Sequence, residues 1–83
     1  MNVTVKYFAS IREAIGVSSE SLVTQAVTLG GLRDEMIARG GAHAQSLARG
    51  RAVRLALNQV MSDESAALVD GAEVAFFPPV TGG

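Results

Sequence analysis

There is no cysteine among the 83 residues. That excludes disulfides, thiolate metal sites and cysteine nucleophiles, so any sulfur handled by this chain is not held on its own side chains. Histidine occurs once, at His43, beside glycine and alanine. A metal centre needs several more ligands at suitable spacing, and none accompany it; a solvated loop position is expected. Ser18, Ser19 and Ser21 have no histidine–aspartate partnership to activate them. Lysine also occurs once, at Lys6, so Gly30-Gly31 lacks the lysine of a phosphate loop. No apolar run approaches the roughly 18 residues of a membrane span, and residues 1–20 lack the charged-then-apolar pattern of a secretory signal. Neither a membrane nor an export route is indicated, and a cytoplasmic setting is expected.

Charge of one sign is also lacking. The net charge is −1 and the basic residues are scattered, which does not suit a nucleic-acid partner. The one basic run, Arg49, Arg51 and Arg54, reads as a solvated loop leading into a strand. The adjacent carboxylates Asp34-Glu35 and Asp63-Glu64 read as solvated surface, because helix neighbours do not share a face. With no acid–base or nucleophilic constellation, a stand-alone enzyme is not expected. Apolar residues make up 48% of the chain. This is enough for one modest core built from Val, Leu, Ile and Phe, and so for one domain.

Residues 2–8 alternate, with Val3, Val5 and Tyr7 against Thr4, Lys6 and Phe8, and predict a strand. Ser10 and Glu13 have capping-box spacing and predict a short helix closed by Gly16. Residues 20–24 predict a second strand. Thr28 is the expected N-cap of the main helix, with Leu29, Leu32, Met36 and Ile37 on one face and Gly40-Gly41 as its stop. Gly30 and Gly31 weaken its first turn by about 1 kcal/mol each. Residues 43–50 are ambiguous, with room for one more helical turn. Residues 52–58 predict a strand with Val53, Leu55 and Leu57 on one face. Asn58-Gln59 is a tight turn, Val60-Met61 a short returning strand, Asp70-Gly71 a second turn, and 73–77 the last strand. Strands around one amphipathic helix give an α+β class with a mixed sheet of about five strands, for which a β-grasp roll is the natural small solution. The expected division is a domain over 1–77 and an extended tail over 78–83.

That tail, Pro78-Pro79-Val80-Thr81-Gly82-Gly83, holds the most chemically suggestive residues. The prolines cannot donate to a ladder and favour a stiff, extended segment. The glycines lack Cβ, so the backbone can enter a narrow channel. The carboxylate of Gly83 is unhindered but a poor electrophile, and acyl chemistry there requires activation, usually by adenylation on another enzyme.

Over nearly its whole length the chain resembles the small subunits of molybdopterin synthase, the MoaD-type sulfur carriers. The resemblance is carried by residues 5–13 (VKYFASIRE), by Asn58-Gln59 after a strand, and above all by residues 70–83 (DGAEVAFFPPVTGG). It implies a ubiquitin-like fold and a defined sequence of partners. An E1-like adenylating enzyme uses ATP to form an acyl adenylate at Gly83. A sulfurtransferase or cysteine desulfurase supplies sulfur to make a thiocarboxylate. The tail of residues 78–83 then enters the large synthase subunit and passes sulfur to cyclic pyranopterin monophosphate, within a heterotetramer. No cofactor bound by the carrier itself is implied, nor any metal. Phe8, Met61 and Phe77 each point away from the helix-facing residues of their strands and match the family's partner-facing positions, so they form the expected docking patch. Arg12 and Glu13 match the family too, with capping and surface pairing their expected role. Other uses of the same tail are a carrier for thiamine or tRNA thiolation, or a ubiquitin-like protein modifier. An inert interaction domain is the remaining reading, and it predicts no effect of deleting Gly82-Gly83.

Overall fold

A computed structural model describes residues 1–79. Eight elements follow one another: β1 (Asn2–Tyr7), α1 (Ala9–Ile15), β2 (Ser19–Val23), α2 (Leu29–Ala38), α3 (Gly41–Leu47), β3 (Arg54–Leu57), β4 (Val60–Ser62) and β5 (Glu73–Phe77). The five strands form one sheet in the order β2-β1-β5-β3-β4. The first and last strands, β1 and β5, lie side by side and parallel at its centre, while the other pairs are antiparallel. This is the mixed α+β roll that the alternation predicts.

The β1 alternation sends Val3, Val5 and Tyr7 to the helix side, where all are buried. In β5, Val74 and Phe76 join them. Tyr7 and Phe76 are register partners whose rings stack at 6.4 Å between centroids. From the other layer come Leu29, Leu32 and Met36 of α2, Ile11 of α1 and Leu47 of α3. The apolar face foreseen for the main helix is therefore the one that packs, and Thr28 caps it by accepting from the Gly31 N–H at 3.1 Å. Ile37 is packed against the core rather than inside it.

The structure corrects several expectations. Ser10 does not cap α1: Phe8 is the N-cap, with no side-chain hydrogen bond. The strand passes into helix through Ala9, held at a left-handed φ of +51°, an uncommon conformation for a residue with a Cβ. The ambiguous segment after Gly41 is a full short helix, α3, preceded by Gly40 at φ +75°. Val53 lies outside β3, which begins at Arg54, although it still packs on the core. Asn58 and Gln59 form the expected turn, both at positive φ as a two-residue hairpin requires. Asn58 is also tied to the start of β5, its side-chain oxygen accepting from the Glu73 N–H at 2.9 Å.

Three polar residues expected at the surface do more. His43 is largely covered, its ring edge-on to Tyr7 at 5.9 Å and its Nε2 2.9 Å from Glu20 Oε2. The Glu20 carboxylate also accepts from the Tyr7 hydroxyl at 2.6 Å and from Arg39 at 3.1 Å. Burial alone would raise the Glu20 carboxyl, but hydrogen bonds from Tyr7, His43 and Arg39 outweigh it and hold the group at about 2, below its ordinary 4.5. Burial, then the Glu20 hydrogen bond and charge, push the Tyr7 hydroxyl well above its ordinary value. Glu64 is likewise not free surface: it binds the buried Arg33 at 3.1 Å and also pairs with Arg49. Arg33 in turn donates to the carbonyls of Leu47, Ala48 and Arg51, fastening the loop after α3. Asp34 pairs with Arg49 at 2.6 Å, so the basic run is partly neutralised by α2.

Candidate functional site

The strand register sorts side chains between two faces. Phe77 lies opposite Arg54, and Ala75 lies opposite Ala56, which lies opposite Met61. These residues alternate with Phe76, Leu55 and Val74, so they occupy the face that no described helix covers. Phe8, one residue past the end of β1, reaches the same face. Its ring meets Phe77 edge-on, 6.1 Å between centroids and 89° between planes.

Of the three residues expected to form an apolar patch, the structure thus brings two into contact. Met61 shares their face but lies across Ala75 and Ala56, two strands away, which is roughly 10 Å at ordinary strand spacing. The two alanines form a low floor between them, 7% and 6% exposed, while Phe8 is 43% and Met61 53% exposed. The result is a shallow apolar surface with an aromatic wall at one end and a flexible methionine at the other. Sequence reading missed the two alanines; their signal is their place in the alternation, on the same side as Phe77 and Met61.

The aromatic wall stands where the chain leaves the sheet. The Phe8 N–H donates to the Phe76 carbonyl at 3.2 Å, and Pro78 and Pro79, both half-buried, follow directly. Proline has no N–H, so the ladder ends here and the chain departs. On the opposite side of this root a cleft of about 510 Å³ opens between α1, α3 and the loop before β3, lined by Ser10, Ile11, Gln45, Arg51, Val53 and Pro78 among others. Val80, Thr81, Gly82 and Gly83, the rest of the expected tail, lie outside the described residues. Lys6 is on the open face as well, its ammonium 3.3 Å from Glu73.

Among the described residues, buried side-chain nitrogens and oxygens all have hydrogen-bond partners. The Tyr7–Glu20–His43 group is such a satisfied cluster, and it lies on the helix side of the sheet, away from the open face. The open face, by contrast, carries exposed apolar side chains beside Pro78 and Pro79.

Comparison with known proteins agrees with this fold. The pattern of the ThiS family matches residues 5–83. The molybdopterin synthase sulfur carrier subunit of Escherichia coli is 38% identical over 81 residues, covering 98% of this chain and 99% of that one. Among solved structures, subunits 1 and 2 of the molybdopterin-converting factor from Helicobacter pylori form a protein–protein complex. One chain of it superposes with a TM-score of 0.70 at 27% identity and full coverage of both chains. The small archaeal modifier protein 1 of Haloferax volcanii superposes with a TM-score of 0.76 at 22% identity, covering 95% of this chain and 98% of that one, a likeness of fold alone.

Proposed function

The chain belongs to the ThiS family, and from that premise we propose that it is the sulfur carrier subunit of molybdopterin synthase, acting in molybdenum cofactor biosynthesis in the cytoplasm. The observation that carries this reading is the 38% identity to the Escherichia coli sulfur carrier subunit over nearly the whole of both chains. In this reading Gly83 is the working residue. An E1-like enzyme transfers AMP from ATP to its carboxylate, releasing pyrophosphate. A persulfide on a sulfurtransferase or cysteine desulfurase displaces AMP to give an acyl disulfide, and a thiol then attacks the donor's sulfur, forming a disulfide with it and releasing the thiocarboxylate. The large synthase subunit then receives the tail and directs that sulfur to cyclic pyranopterin monophosphate.

The fold suits this division of labour. The open face with Phe8, Phe77 and Met61 is the docking surface for the large subunit, and its aromatic end adjoins the root of the tail. Docking there feeds residues 78–83 into the partner in a set direction. The two prolines limit the tail's conformations, which lowers the ordering entropy of insertion, and Gly82 and Gly83 let it pass a narrow channel.

Intact mass tests the reading. After incubation with ATP, an E1-like enzyme and a sulfur donor, the expected change is exchange of one oxygen for one sulfur, lost when Gly83 is deleted. Subsequent conversion of cyclic pyranopterin monophosphate with the large subunit would place the carrier in this pathway. A thiocarboxylate that the large subunit ignores would reassign it to thiamine or tRNA thiolation. Conjugates to lysines of other proteins would make it a modifier.

A further inference from the structure

The strand order β2-β1-β5-β3-β4 leaves two sheet edges, and they are unequal. The bonding pattern between β1 and β2 is fixed at both ends. At one, the Met1 ammonium donates to the Thr24 carbonyl at 2.9 Å and the Thr24 N–H to the Met1 carbonyl at 2.8 Å. At the other, the Tyr7 N–H donates to the Ser18 carbonyl at 2.9 Å. Bonded pairs recur at every second residue of an antiparallel ladder, so Ser18, Glu20, Leu22 and Thr24 turn their backbone groups to β1. Ser19, Ser21 and Val23 turn theirs outward, and all three residues are exposed. None of these outward N–H and carbonyl groups meets a partner among the described residues. At the other edge, β4 is three residues long and follows a two-residue turn. It bonds to β3 through Val60 and Ser62 and turns out only Met61.

Sheet edges are ordinarily guarded by lysine, proline, a bulge or shortness. Brevity guards β4, but β2 has none of these devices. Its register with β1 runs unbroken over its 5 residues, without lysine or proline. Its one charge, Glu20, is turned to the helix side and held there by Tyr7, His43 and Arg39. The outward groups are also complementary to themselves. An antiparallel second copy centred on Ser21 sets Ser21 against Ser21 and Ser19 against Val23. Every outward group of β2 is then paired, and a shift of two residues either way loses one of the three pairs. On the helix side Glu20 meets Leu22 of the second copy, so no like charges are opposed. Val23, 73% exposed in the single chain, gains a cross-strand neighbour. The net charge of −1 offers little repulsion between copies.

We propose that two copies of this chain join β2 to β2, antiparallel about Ser21, and so continue one sheet across both. A two-fold contact of this kind closes on itself, and the short β4 edge gives no means of extending it. β2 lies on the far side of β1 from β5, so Phe77, Ala75, Ala56 and Met61 stay outside the contact. Each copy keeps its apolar docking face, and the inference does not depend on the chemistry at Gly83. Three bonded pairs supply six hydrogen bonds, which at ordinary interface density correspond to about 600–1,200 Å². That is the size of a transient association, one that forms and dissolves with concentration.

Sedimentation velocity on the full chain reads the association: monomer at about 10 μM and a growing dimer fraction toward about 1 mM are expected. Ser21→Lys opposes two ammonium groups at the axis and should lower the association constant roughly fivefold. The register is read by single cysteines, since the chain has none of its own. Bonded partners in an antiparallel ladder lie about 5.5 Å apart at Cα, within disulfide range. Ser21→Cys should therefore oxidise to a covalent dimer at least about tenfold faster than Ser19→Cys or Val23→Cys alone. Ser19→Cys mixed with Val23→Cys should give chiefly the mixed disulfide. Circular dichroism melts confirm that each variant is folded. Selective oxidation supports the proposal even where the dimer is too weak to sediment. Equal oxidation of the three single-cysteine variants overturns it, as does a dimer that Ser21→Lys leaves intact and Phe77→Glu dissolves.

Discussion

Phe76 and Phe77 are neighbours in sequence and opposites in setting. Phe76 is fully buried against Tyr7 on the helix side. Phe77 is half-buried on the open side, where its ring meets that of the exposed Phe8. The same contrast runs across the sheet. The closed face is filled by branched and aromatic residues and has its buried polar groups satisfied; the open face carries alanines, the Lys6–Glu73 ion pair and the apolar side chains of Phe8, Val23, Met61 and Phe77. Core residues on this chain are held by packing, whereas Phe8, Met61 and Phe77 sit where packing does not ask for them. An alternation of period two keeps the two duties apart.

Replacing each phenylalanine in turn tests that separation most severely. Phe76→Ala is expected to cost about 3–5 kcal/mol of stability, as for other large buried side chains. Phe77→Ala is expected to cost no more than about 1 kcal/mol; denaturant melts of both compare the faces directly. Equal losses would mean that the open face is structural.

A charge on the open face gives the converse result. Phe77→Glu should weaken binding of the large synthase subunit by roughly 2 kcal/mol, about 30-fold, measured by calorimetry, with the melting temperature little changed. Phe8→Glu should behave alike because the rings are in contact. Charging Met61 should do less, since it stands apart across the alanine floor.

On the closed face, the Glu20 carboxyl is held at about 2 in the folded state against an ordinary 4.5. Its folded value is the lower, so its contribution is complete above about pH 5 and fades as pH falls toward 2. Glu20→Gln should therefore be less stable than the parent at pH 6, by on the order of 1–2 kcal/mol. The gap should narrow at pH 3, read from urea melts at the two pH values. A constant gap would mean that the hydrogen bonds matter and the charge does not.

The smallest expected effect concerns the start of α2. In an open helix Gly30→Ala would stabilise by about 1 kcal/mol. Here the added Cβ would lie 2.9 Å from Glu64 Oε1 and 3.2 Å from the Glu64 carbonyl. A net loss of about 1 kcal/mol is expected. Gly31→Ala faces looser contacts, with the Ala26 methyl at 3.2 Å, and should be milder.

Much of this was legible beforehand because it is local. Alternation gave the strands and their faces, Thr28 gave the start of α2, and Asn58-Gln59 gave the hairpin. The failures are long-range or conformational. His43 has only small neighbours in sequence, and its partners Glu20 and Tyr7 arrive from the sheet, 23 residues away in the case of Glu20. Glu64 is called to the buried Arg33 across 31 residues. Ser10 had the spacing of a cap but not its geometry, because the turn is made by Ala9 at positive φ. For the site, the alternation placed Phe8, Met61 and Phe77 on one face, but only pairing across β5, β3 and β4 shows how far Met61 stands from the other two.

The parallel pairing of β1 with β5 also dictates when the carrier becomes competent. Hairpins β1–β2 and β3–β4 join segments close in sequence and can form early. The centre of the sheet cannot, because β5 must slot between β1 and β3, closing a loop of some 70 residues in sequence. During synthesis, therefore, the body stays open until its last strand is released. The tail acquires a rigid base and an adjoining docking face in the same event, so a partner that reads both meets only finished molecules.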